Sequence, residues 1–154
     1  MEKRELQILS MLRANSRESL TRMSKKTSIP ISTIFEKLKN YERQFIHKHT
    51  SLIHFDKLGF TTIVKILLRV KREDKVALKD YLLKNIHVNS LCRINNNFDF
   101  MVEGIFKNLR DLEDFQEKLD ERFSIKAKQY YFIIDDIKRE EFMSDSNLVE
   151  MTAS

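Results

Sequence analysis

The sequence predicts an α+β chain in two parts, and three observations carry that prediction. Apolar residues recur at helical spacing from Glu5 to Tyr41, then give way after Arg43 to strand-like alternation. Beyond Phe60 the runs follow the order strand, helix, strand, strand, helix, strand. The excess positive charge lies wholly in the first part. Residues 1–60 hold 12 Lys and Arg against 6 Asp and Glu, while residues 61–154 hold 16 against 17, within a chain of net charge +5.

The first helix, Glu5 to Ala14, turns Leu6, Ile8, Leu9 and Leu12 inward. A short second helix is opened by Ser19, whose hydroxyl can cap an orphan amide, and it carries Met23 and Thr27 on one face. Ser28 and Ile29 form a turn. Pro30 cannot continue the second helix but suits the start of the next. The third helix has Ile31, Ile34, Phe35, Leu38 and Tyr41 at inward spacing, which leaves Ser32, Thr33, Lys37, Asn40 and Arg43 outward. Two packed helices with a polar, basic second member match a helix-turn-helix, although any helical hairpin with a solvated face shares much of that pattern.

After Arg43 the stretch FIHKHTSLIHF is rich in β-branched and aromatic residues. It reads as a strand, serving as a wing or a connecting ribbon, and the DKLGF segment at 56–60 marks a hinge. Thr61 to Val70 is a nearly continuous apolar strand. Glu73 to Asn85 follows as a helix with Val76, Leu78, Tyr81 and Leu82 available for burial. Val88 to Asn95 and Phe98 to Phe106 are strands joined by an asparagine turn, since Asn tolerates positive φ. A helix from Asn108 to Arg122 sets Leu109, Leu112, Phe115 and Leu119 in register, and a last strand spans about 126–134. The order βαββαβ is that of a ferredoxin-like domain. The expected division is a winged-helix-like helix-turn-helix over 1–50, a connecting strand and hinge over 51–60, a ferredoxin-like domain over 61–142 and a flexible tail over 143–154.

Strands such as IVKILLRV and QYYFIID are apolar on nearly both sides, yet two helices cover only one face of a four-stranded sheet. A second copy of the sheet is the simplest cover, and a homodimer carries two helical readers about a two-fold axis.

Composition excludes several classes. With 2 Gly and 1 Pro the chain is neither linker-rich nor of low complexity. The single cysteine, Cys92, permits no disulfide framework within the chain and reads as a small core residue. No apolar run approaches the roughly 18 residues that span a membrane, and a cytoplasmic setting is expected. His47 and His49 share a face but lack a third ligand, so no metal is expected. No phosphate loop or nucleophile motif is present, and neither a catalytic residue nor a cofactor is expected.

An ordered set of short matches, covering about residues 4–140, resembles the Lrp/AsnC (leucine-responsive, feast/famine) family of transcriptional regulators. Glu5, Ile8, Leu9 and Leu12 match its opening acidic-Ile-Leu-x-x-Leu pattern, and Arg17 with Ser19 its Arg-x-Ser. Ser24 and Lys25 stand at its Ser-Lys, and the stretch from Ser32 to Arg43 resembles its reading helix, with Glu42, Arg43 and Gln44 at the Glu-Arg-Gln end. Asn97, Phe98 and Asp99 fall on its Gly-Asp-aromatic-Asp turn. The chain departs where Ser28 replaces a turn glycine, where no glycine follows Gln44, and where Asn96 and Asn97 replace Gly-Asp.

The resemblance implies sequence-specific binding of double-stranded DNA at a pseudo-palindromic site, by a homodimer or an octamer, under a small-molecule effector. Arg22, Lys25, Lys37, Lys39 and Arg43 are then candidates for phosphates, and Ser32, Thr33 and Asn40 for base edges. The alternative for the lysines is a solvated surface, and for Thr33 with Glu36 a helix capping box. Asn96, Asn97 and Asp99 are the candidate effector residues. Loss of the Gly-Asp carboxylate removes a partner for an amino acid's ammonium, leaving a different ligand, or none, open. Two other readings attach to this architecture: an enzyme like the sirohaem decarboxylases, which needs His and Arg where this chain has NNNFDF, and a ligand-binding assembly module stripped of basic charge.

Overall fold

Every strand of the second part finds an antiparallel neighbour, and that pairing organises the molecule. The structure, a computed structural model, describes residues 3–145. It divides into two compact units, residues 53–136 and the remainder.

The helical unit contains α1 (Lys3–Ala14), α2 (Leu20–Thr27) and α3 (Ile31–Gln44). Ile8, Met11, Met23, Ile29, Ile34 and Tyr41 form its core, with Leu9, Leu12, Leu20, Leu38 and Ile46 packed around them. Three short amphipathic helices need this shared core, because none is long enough to persist alone. Ile31 and Phe35 were expected inside and are instead 46% and 48% exposed. The buried stripe runs through Ile34, Leu38 and Tyr41, and Phe35 stands a further 100° around the helix. Residues 140–145 belong to this unit too. The Arg13 guanidinium pairs with Glu140 and donates to the Phe142 carbonyl at 3.2 Å. Of the expected tail, 146–154 lie outside the described residues.

The sheet unit contains β1 (Thr62–Val70), α4 (Lys75–Lys84), β2 (Val88–Arg93), β3 (Phe100–Phe106), α5 (Leu109–Arg122) and β4 (Ile125–Phe132). The strands lie in the order β2-β3-β1-β4, all antiparallel, so the ferredoxin-like topology holds. Val64, Ile66 and Leu68 face Gly104, Val102 and Phe100 across β1 and β3. On that side they pack with Leu78, Leu82, Leu112, Phe115 and Leu119 from the two helices. The other side of β1 carries Ile63, Lys65, Leu67 and Arg69. At its centre Glu103, 2% exposed, accepts from Lys65 at 2.6 Å and is bonded by Asn89.

Three expectations of local structure are corrected. The stretch from Phe45 to His54 forms no strand, and no wing appears among the described residues. An extended segment needs a ladder partner to hold its amides, and here Leu52 and Ile53 lie exposed instead. Cys92 is exposed, not core, because β2 is an edge strand and Cys92 lies opposite Met101 rather than in the helix-covered cluster. Val76 and Leu109 are also exposed, each near the start of its helix. The inward stripe of α4 is set by Leu78 and Leu82, and that of α5 by Leu112, Phe115 and Leu119.

Candidate nucleic-acid interface

The geometry of α2 and α3 follows from three capping residues. Ser19 Oγ accepts from the Arg22 amide at 3.2 Å and opens α2. Ser28 closes it in the left-handed region at φ 58°. That is a conformation glycine takes most readily and Ser takes at some cost. Ser24 Oγ then donates to the Ile29 carbonyl at 2.7 Å, bracing the turn from its inner side. Pro30 stands as the residue before α3, with its carbonyl accepting the Ile34 amide at 3.0 Å.

With Ile34, Leu38 and Tyr41 anchored against α1 and α2, the opposite face of α3 is fixed by the 100° step per residue. Ser32, Thr33, Glu36, Lys39, Asn40 and Arg43 all emerge on it, exposed. The capping alternative for Ser32 and Thr33 is not used, since the start of α3 has no side-chain cap. Both residues stand exposed at the amino-terminal end of the helix.

The five candidate cations differ in what holds them. Lys25 on α2 and Arg43 on α3 are exposed. Arg22 is exposed as well, with Glu18 at 3.4 Å. Lys39 reaches Glu36 at 3.8 Å, and its ammonium stands 4.4 Å from the centre of the Phe35 ring. Lys37 turns away from this group and pairs with Glu5 of α1, so much of its charge is answered within the helical core. Beyond α3, His49 Nε2 lies 3.5 Å from Glu42. Phe35, like Ile31, is a residue that periodicity assigned to the core and the structure leaves exposed on α3. The Phe-Lys spacing of four, from Phe35 to Lys39, is the sequence signal that marks it.

The candidate effector residues sit elsewhere, in the sheet unit. Asn96 and Asn97 both take positive φ, 61° and 72°, as in the tightest hairpin turns, and are exposed. Asp99 does not join them in an open site. One carboxylate oxygen accepts the Val70 amide at 3.0 Å, beside the register shift of β1, and the other meets Lys75 Nζ at 2.5 Å. Burial alone pushes its pKa up, but the Lys75 ammonium and the Val70 amide outweigh that and hold it below the ordinary 3.8. In the same unit burial raises Tyr130 to about 12, helped by Asp120.

No protein-family model matches the chain. The HTH-type transcriptional regulator FL11 of Pyrococcus abyssi is 27% identical over 109 residues, covering 70% of this chain and 72% of that protein. B. subtilis LrpC superposes with a TM-score of 0.80 at 21% identity, covering 90% of this chain and 97% of its own. E. coli AsnC gives 0.80 at 13% identity, covering 90% and 95%. The chain has the fold of the Lrp/AsnC regulators and is similar in sequence to the FL11 regulators. The same architecture occurs in the Neisseria meningitidis transcriptional regulator NMB0573, solved with L-methionine, at a TM-score of 0.83, 15% identity, and coverage of 90% and 93%. The Lrp/AsnC relatives are transcriptional regulators, and the enzymatic alternative finds no support among them. No helix among the described residues is long and apolar enough to cross a membrane.

Proposed function

We propose that this protein is a regulator of transcription of the Lrp/AsnC kind that binds duplex DNA sequence-specifically, with α3 reading the major groove and α2 bracing it against the backbone. The observation that carries the reading is the outward face of α3, where Ser32, Thr33 and Asn40 stand exposed among Lys39 and Arg43, with Lys25 on α2. The cations supply affinity that falls with salt, and the short polar groups supply discrimination between base edges.

The protein acts in the cytoplasm as a homodimer, or an octamer built from such dimers. The dimer reading is supported by the uncovered sheet face, where Ile63, Leu67 and Met101 remain partly exposed around the Lys65–Glu103 pair. Two-fold symmetry then sets half-sites roughly 34 to 36 Å apart or at multiples of that spacing. An effector, if the protein takes one, meets Asn96 and Asn97, whose exposed amides offer both donors and acceptors. Asp99 is engaged by Val70 and Lys75 and contributes to that site through the position of the turn.

Selection of bound duplexes from a random pool with the purified full chain, at two salt concentrations, tests this function. Recovery of a motif with two-fold symmetry supports it. Recovery of no motif, with binding that vanishes as salt rises, refutes sequence-specific regulation.

A further inference from the structure

The reading face of α3 is not wholly polar. Ile31 and Phe35, four residues apart, stand side by side on the helix and leave nearly half of their surface open to solvent. Ser32, Lys39 and Arg43 emerge on the same exposed side, groups suited to a polyanion rather than to an apolar protein surface, with the acidic side chain of Glu36 among them. The Lys39 ammonium stands 4.4 Å from the centroid of the Phe35 ring and so limits where the ring can go. In the major groove only one base presents an apolar group, the 5-methyl of thymine.

We infer that Phe35, supported by Ile31, is a specificity-determining residue that packs against thymine methyl groups in the bound DNA. The inference rests on the DNA-binding function proposed above and adds the chemical group that α3 selects. Lys39 then has two roles on one side chain, holding the aromatic ring through its cation and meeting a phosphate beside the same base step. Ser32, one residue on from Ile31, lies where it can reach a polar edge of a neighbouring base.

The test uses the duplex recovered from the random pool, remade with each thymine replaced in turn by uracil, which pairs identically and lacks only the methyl group. Wild type, Phe35→Ala and Ile31→Ala are compared by equilibrium binding. Both side chains are exposed, so the variants should keep the wild-type fold, checked by circular dichroism. The expected result is a loss of about fourfold in wild-type affinity at one or more thymines, the value of one buried methyl group. Phe35→Ala should bind the thymine and uracil duplexes equally, while Phe35→Leu, which keeps an apolar side chain, should still distinguish them. Wild type that binds its motif with no thymine dependence overturns the inference and leaves the DNA function standing. So does Phe35→Ala with undiminished thymine dependence. Wild type that prefers no duplex at all overturns both.

Discussion

Replacing Asp99 with Ala removes two tethers at once, the acceptor for the Val70 amide and the anion facing Lys75. The first is a hydrogen bond to a charged group, largely shielded from water, and is worth about 1.5–3 kcal/mol. The second partner, Lys75, keeps 44% of its side chain exposed, so the ion pair adds no more than about 0.5 kcal/mol. The expected loss is therefore about 2–3 kcal/mol, or roughly 1 M in urea midpoint. Asp99→Asn retains an acceptor for Val70 and loses only the charge, so it should cost about half as much.

The pH dependence has a definite sign. The folded carboxyl of Asp99 sits below its ordinary 3.8, so its contribution is fully present above that value and is lost as pH falls through the lower, folded one. Urea unfolding of wild type and Asp99→Ala at equal protein concentration should show a constant gap from pH 7 to about 5, closing below 3.8. A gap under about 0.5 kcal/mol at pH 7, or one that widens on acidification, refutes the assignment of Asp99 as a clamp between β1 and α4.

Three further outcomes follow from the same geometry. Gly104→Ala places a Cβ 2.5 Å from the fully buried Phe106 ring, and thermal unfolding should register a loss of about 1–3 kcal/mol. Ser28→Gly relieves a left-handed serine and should raise stability by roughly 0.5–1 kcal/mol, read as a higher Tm with DNA affinity unchanged. Lys37→Ala should act on folding, costing up to about 1 kcal/mol through the lost Glu5 pair, and should leave the salt dependence of DNA binding nearly intact.

Much of the fold was legible because its signals are local. Ser19 before α2 and the paired asparagines at 96 and 97 each act within three or four residues of themselves, and the structure uses both signals. The nearly continuous apolar run from Thr61 to Val70 is likewise a strand, and the structure buries alternate residues along Thr62–Val70. What escaped depends on partners distant in sequence. The stretch after Arg43 has strand composition, but composition supplies no ladder, and the described residues offer it none. Lys37 looked like its neighbours on α3 until Glu5, 32 residues away, took up its charge. Asp99 resembled a ligand-binding carboxylate because its tie to Val70 bridges 29 residues. Phe35 was assigned to the core because an apolar residue beside Ile34 extends a helical stripe. Whether the third helix buries a wide stripe or a narrow one is decided by how α1 and α2 pack, which no spacing within α3 records.

The central claim is that the face built by α2 and α3 holds duplex DNA, and its most direct test is the affinity of the full chain for the recovered duplex as salt is raised. The logarithm of affinity should fall linearly with the logarithm of salt concentration, and Lys25→Ala and Arg43→Ala should each flatten that slope by about 0.9. Affinity that ignores salt, or slopes unmoved by both substitutions, would contradict it.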